Sequence, residues 1–299
     1  ASSSPLPASR KAAPTWQARN ILRMRITGRG SLSFFGKLQN REYRYGYSQS
    51  DDAAFTRTHP LSGDRIATLR GVYEKDPAWD APLNSEWESE FARVKAKLKG
   101  YIAEPRYTLR DYPQTDQTLP ARYARAYAYH KSAQVDRALS ETESLLASAP
   151  DDPYFLELKG QVLLESGRPE EALEPLRKAT ELTLADPLIS SMFGHALIAT
   201  EDKDHFEEAE QVLRASVARD RYNPFAWYQL GMVYAARGDL PRARLASAEQ
   251  QVMSRQYAMA LRSAQAAEAG LPNGSPDWLR AQDVGMQARA LLEQQMDKR

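Results

Sequence analysis

The chain contains no cysteine, which removes disulfides, thiolate zinc sites and a cysteine nucleophile in one step without fixing a compartment. No stretch approaches the roughly 20 consecutive apolar residues that a membrane-spanning helix requires, so the sequence reads as a soluble chain. Histidine is scarce: His59, His130, His195 and His205 are the whole supply. None of them opens the HExxH pattern of a zinc hydrolase. No serine sits in a recognisable nucleophile elbow, and Gly28-Arg29-Gly30 has neither the preceding strand nor the lysine of a phosphate loop. His195 and His205 are separated by a turn and lack a partner cysteine or motif carboxylate, so they read as surface histidines. Paired carboxylates such as Glu170-Glu171 and Glu207-Glu208 sit where second helices start and favour the helix dipole. The sequence shows no catalytic constellation.

What the chain does have is a recurring small residue. Ala126, Gly160 and Gly194 are spaced 34 apart and Gly231 follows 37 later, while Ala138, Ala172, Ala209 and Ala243 form a second ladder in the same phase. The interval resembles that of the tetratricopeptide (TPR) repeat, in which antiparallel helix pairs bury their apolar faces by stacking on the next pair. Within a unit the order is large, small, large, as two closely packed helices demand: Trp227, Leu230, Gly231 and Tyr234, then Gly238 and Ala243 in the fourth. The second reads Leu156, Gly160, Leu163, Gly167, Ala172 and Leu176. The third carries its extra residues near Glu201 to Asp204, where a longer polar turn costs little closure entropy. Ala260, Ala264, Ala267 and Pro272 read as the second half of a fifth unit that shares a helix, followed by a capping helix from about Pro276 to Gln295.

The expected fold is therefore all-α: a TPR-type helical-repeat superhelix over 120–299, preceded by a small helical region. Residues 1–14, rich in Ser, Pro and Ala, are expected to be a disordered arm, 15–80 a helical region, and 81–119 a connecting helix and proline-spaced linker. Ser31 is placed as the cap of a helix with Leu32, Phe34, Phe35 and Leu38 on one face. Ser62 is placed as the cap of another with Ile66, Leu69 and Tyr73 inward. Trp87, Phe91, Val94, Leu98 and Tyr101 recur at steps of four and three and predict an amphipathic helix.

Charge is unevenly spread. Residues 1–50 hold nine Arg or Lys against Glu42 alone, in a chain whose net charge is +1. The arginines alternate with Trp16, Ile21, Leu22, Met24 and Ile26, which favours a protein contact over a membrane surface or nucleic acid as the partner of this arm. The first residue is Ala1, which suggests a processed product or an excised segment, with any signal peptide lying outside it.

Two segments ahead of the array carry a further resemblance. Ser33-Phe-Phe-Gly-Lys-Leu-Gln39, then Thr58-His-Pro-Leu-Ser-Gly-Asp-Arg-Ile66, resemble the end of the catalytic domain in BepA-like zinc metallopeptidases, relatives of HtpX and the CAAX prenyl protease, which bear a C-terminal TPR array. The resemblance implies that this chain is the C-terminal portion of such an enzyme, from about Thr27 to Leu292, in the periplasm or cell envelope. The zinc would belong to the parent enzyme and not to this chain. It also implies that His59 and Arg65 lie beside the parent's catalytic cleft; in this segment alone a turn hydrogen bond and a carboxylate pair account for them as well.

Function then rests on the inner curve of the array. With the ladders fixing the packed face, the helical period turns Tyr123, Tyr127, His130, Lys131, Tyr154, Glu157, Gln161, Glu165, His195, Ile198, Tyr228 and Met232 toward that curve. Such side chains suit a polypeptide substrate or partner protein. They would equally suit an occupant from the same protein, either its N-terminal region or the missing protease domain. The alternatives are an active envelope metalloendopeptidase completed by its catalytic half, and anionic-lipid or nucleic-acid binding through the basic arm.

Overall fold

The computed structural model describes residues 24–44 and 62–297. Fourteen helices and no strand occur among the described residues, so the all-α expectation agrees with the structure. The chain divides into two compact units, with the division between Phe91 and Ala92.

In the first unit, α1 (Arg29–Arg44) packs on α2 (Ser62–Tyr73). α1 begins two residues before the expected cap at Ser31, and it buries none of its residues fully. Leu32 and Phe35 lean on Leu69 and Tyr73, the two buried residues of this small core. The Gly28 backbone lies directly on the Tyr73 ring, where any side chain would collide, so packing explains this glycine. Asp76 caps the 3-10 turn Pro77–Asp80 by accepting from the Ala78 amide. Helix α3 (Ser85–Ile102) crosses the division between the units.

The second unit continues with the short α4 (Pro105–Asp111), inside a stretch expected to be linker. Proline at its first turn costs no hydrogen bond there. Four hairpins follow: α5 (Leu119–Lys131) with α6 (Val135–Ser148), α7 (Pro153–Glu165) with α8 (Pro169–Leu182), α9 (Pro187–Ala199) with α10 (Phe206–Arg219), and α11 (Pro224–Ala236) with α12 (Leu240–Met253). A cap-proline pair opens three of the first helices, Asp152-Pro153, Asp186-Pro187 and Asn223-Pro224, each cap side chain accepting from backbone amides of the first turn. The turn inside each hairpin places one residue at positive φ: Ala133, Gly167, Glu201 and Gly238. At Gly167 and Gly238 the left-handed conformation is free of a Cβ penalty. The longer third turn is a 3-10 segment, Lys203–His205, capped by Asp202.

Both small-residue ladders are in the core. Ala126, Ala138, Ala172 and Ala209 are fully buried and Ala243 nearly so. Gly160 and Gly194 lie under Leu176 and Leu213 of the facing helices. One apolar cluster runs from Leu163 through Phe193, Leu197, Leu213 and Leu230 to Ala246, joining the second, third and fourth hairpins. At the C-terminal end, α13 (Tyr257–Gly270) packs along α12, and α14 (Pro276–Asp297) reaches both. α12 thus serves two pairs, with Leu245 against Ala267 and Leu271 on one side.

Candidate functional site

Adjacent first helices α5, α7, α9 and α11 stand side by side, and the polar residues expected on their shared face meet there. His130 Nε2 lies 2.9 Å from Glu165 Oε2, and Gln161 donates to Glu165 at 2.8 Å. His195 meets Phe225 edge to face at 5.5 Å. Burial holds the His195 imidazole below its ordinary pKa, with the Glu165 charge opposing.

Tyr123 and Tyr127 depart from expectation: they are 1% and 3% exposed and line no open groove. Two features cover them. Tyr123 meets Phe155 edge to face at 5.0 Å, and α3 lies across α5 so closely that a Cβ on Gly100 would come within 2.8 Å of both the Ala124 carbonyl and Tyr127 Cβ. Burial raises the phenol pKa of both tyrosines well above the usual range.

The same helix occupies the next places. Arg93 meets the Asp152 carboxylate at 2.7 Å and stands over the Phe155 and Tyr154 rings at 4.7 and 5.3 Å. Lys97 reaches Glu157 at 3.1 Å. Lys131 donates to the Tyr101 and Ala103 carbonyls at 2.7 and 2.9 Å, closing the C-terminal end of α3. Of the expected groove residues, Tyr123, Tyr127, Lys131, Tyr154 and Glu157 are therefore engaged with this chain's own α3 or with each other.

The face of α3 that docks is not its apolar stripe. The face at Ala96 and Gly100 is buried, while Trp87, Phe91, Val94, Leu98 and Tyr101 are all more than half exposed. Small residues allow the backbones to approach, and the flanking Arg93 and Lys97 find carboxylates. Tyr101, at the end of the apolar stripe, meets Tyr127 edge to face at 6.2 Å, and the other four residues of the stripe are exposed.

Further along, the shared face is open. Tyr228 and Met232 are 54% and 45% exposed, and Ile198 is half-buried. Two residues outside the expected set join them. Phe225, three positions before Tyr228, is 43% exposed, and Leu188, two turns before His195, is 67% exposed. The signal for Phe225 was its spacing: 225, 228 and 232 form one stripe on a helix whose cap-proline start fixes the register.

A second concavity, about 190 Å³, opens between α10, α11, α12 and α14, lined by Arg214, Arg221, Trp227, Tyr234 and Arg242 among others. Arg242 is held by Asp277 at 2.7 Å, and burial pushes the Tyr234 phenol up to about 12.

His59 lies outside the described residues, as do Arg10, Lys11, Arg19 and Arg23 of the basic arm. Arg65 stacks over the Phe35 ring at 5.4 Å within the first unit, an intramolecular contact that needs no metal. His205 bonds Thr200 at 2.8 Å. Among the described residues, no group of three or more His, Asp or Glu side chains is placed to hold a metal ion. No described helix is long and apolar enough to cross a membrane.

No curated protein matches the chain in sequence. Among solved structures, YrrB, described as a TPR protein with an unusual peptide-binding site, is 21% identical, covering 60% of this chain and 94% of its own, with a TM-score of 0.47. MamA 41-end from Desulfovibrio magneticus RS-1 is 18% identical, covering 56% and 96%, with a TM-score of 0.48. Another MamA crystal structure is 20% identical, covering 57% and 96%, with a TM-score of 0.42. The tetratricopeptide repeat family model matches residues 123–187 and 199–256, so these two stretches carry tetratricopeptide repeats.

Proposed function

We propose that this chain is a protein-interaction module that holds an extended polypeptide on the open first-helix face of its third and fourth repeats. One observation carries the reading: Leu188, Phe225, Tyr228 and Met232 form an exposed aromatic and apolar row beside His195, on helices whose other faces are fully packed. Aromatic and methionine anchors of this kind supply contact area at low entropic cost. The test is selection from a random peptide library, followed by titration against Tyr228→Ala with Met232→Glu. Both residues are exposed, so the variant should keep its melting temperature and lose binding at least tenfold. Selected peptides that bind the variant equally well would overturn the reading.

The parent context is a second layer of the same proposal. The Ser33–Gln39 and Thr58–Ile66 segments, placed ahead of such an array, support a module attached to a BepA-like zinc metallopeptidase in the cell envelope, where it would position or restrain the protease. Sequencing the coding region upstream of Ala1 for an HExxH motif tests this layer, and its absence would remove the protease while leaving the docking module intact.

A further inference from the structure

The concavity between α10, α11, α12 and α14 carries polar groups that the chain itself does not use. Two of its four arginines are engaged, Arg242 with Asp277 at 2.7 Å and Arg280 with Glu249 at 2.9 Å. The other two keep spare capacity. The Arg221 guanidinium has no partner among the described residues, and Arg214 comes only within 3.6 Å of Glu210, a carboxylate that Arg237 holds at 2.9 Å. Tyr234 is the second observation. It is 7% exposed, and its hydroxyl makes no hydrogen bond among the described residues, although its charged neighbours are Arg214, Glu210, Arg242 and Asp277. Burial keeps this phenol protonated, so it is a donor that lacks an acceptor. The remaining wall is apolar: Leu230 and Leu245 are buried, and the Trp227 indole is fixed by donating to the Arg221 carbonyl at 2.9 Å.

We infer that this cavity binds a carboxylate joined to a single apolar side chain. The acid group takes the free donors of Tyr234, Arg214 and Arg221, and the apolar body lies against Trp227, Leu230 and Leu245. The volume of about 190 Å³ is below the roughly 300–1,000 Å³ of ordinary ligand clefts, which holds the occupant to that size. A carboxylate matches better than a phosphate. The wall already carries Asp277, with Glu210 behind it, so a second negative charge on the ligand meets repulsion. The C-terminal residue of a polypeptide and a free apolar or aromatic acid share this chemistry. On α11, Trp227, Leu230 and Tyr234 lie roughly 160° around the helix from Phe225, Tyr228 and Met232, so the cavity is separate from the groove and can be filled independently of it.

Proton–nitrogen NMR of the full chain tests this, read at the Trp227 indole N–H, which Trp227→Phe identifies. N-acetyl-phenylalanine should shift that signal saturably. Its amide should bind about tenfold more weakly, because the charge-assisted hydrogen bonds are lost. Arg214→Gln combined with Arg221→Gln, both at exposed positions, should keep the melting temperature and weaken the acid by about tenfold or more. Tyr234→Phe, which removes one oxygen from the wall, should weaken it by about fivefold. A glycine-serine peptide ending in a free phenylalanine separates the two sources: tighter binding than the small acid supports a polypeptide end, and equal or weaker binding supports a free acid. Equal binding of acid and amide would overturn the inference, as would indifference to the double arginine variant. Inorganic phosphate that matches the acid, or no saturable shift with either carboxylate, would overturn it as well.

Discussion

Gly160 lies beneath Leu176: a Cβ added to this glycine would stand 2.7 Å from Leu176 Cδ2. The relationship recurs at Gly194 and Leu213, where the added atom would stand 2.6 Å from Cδ2. At Gly231 it relaxes, with the nearest atom, Ala246 Cβ, 3.5 Å away. The ladder thus records two physical situations, a glycine that leucine requires and a glycine that nothing crowds.

Alanine scanning should separate them. Gly160→Ala overpacks the contact and is expected to cost about 1–3 kcal/mol in urea unfolding. Gly231→Ala gains helix propensity without a clash and is expected to stabilise by about 0.5–1 kcal/mol. Ala172→Leu, in the fully buried second ladder, should behave like Gly160→Ala. Ser144→Leu, at a half-buried site whose hydroxyl merely bonds Ser140, should change little. Equal losses at all four positions would contradict the register.

Arg125 is a buried cation, 1% exposed, that binds Glu141 at 2.6 Å and the carbonyls of Pro113 and Asp116 at 2.8 and 2.6 Å. It fastens the segment before the first repeat to the array. Arg125→Ala leaves both carbonyls without their donor and Glu141 with Arg122 alone, and is expected to cost about 1–3 kcal/mol. Limited proteolysis should then cut between Pro113 and Thr118 before the repeats unfold.

Gly100 is the point where α3 touches α5. Gly100→Val should push α3 off the first two repeats, with no lesion inside the hairpins themselves. The expected result is faster proteolysis at residues 92–104, an almost unchanged melting temperature for the repeats, and tighter binding of library-selected peptides that use Tyr123, Tyr127 or Tyr154. Unaltered protease sensitivity would show that the close approach at Gly100 is dispensable.

His195 sets a pH dependence of known sign. Its folded pKa is lowered from the ordinary 6.5 because burial disfavours the imidazolium. The unfolded chain therefore binds the proton more readily, so stability is full above about pH 6.5, falls as pH drops through that value, and levels off below the folded pKa. Denaturant titrations from about pH 8 down to about pH 5 should show this slope reduced in His195→Gln. An unchanged slope would assign it to other groups.

The repeat register was legible because burial repeats with it: Ala138, Ala172 and Ala209 each need a neighbouring helix at the same depth, and each leaves the same mark in the sequence. The sidedness of α3 was not legible. Periodicity shows that Trp87, Phe91, Val94, Leu98 and Tyr101 share a face, yet the face that packs was chosen by Ala96 and Gly100, whose value lies in what they lack. Asp152 and Glu157, which the flanking Arg93 and Lys97 reach, are about 60 residues away in sequence. The groove residues divided for the same reason. Tyr228 and Met232 stay open because nothing in the described chain returns to them, whereas Tyr123 and Tyr127 are covered by a segment that no local pattern could place.

A tether of residues 103–118 joins α3 to the first repeat on which it lies. That stretch is itself anchored through α4 and the Arg125 bonds to Pro113 and Asp116, so an outside ligand for the two leading repeats would have to displace a segment already held in place. On the proposed function, weak clients would thereby be screened out at that end of the molecule, while nothing among the described residues imposes the same threshold on the trailing repeats. A single chain with uniform repeats would in this way present two thresholds of selectivity.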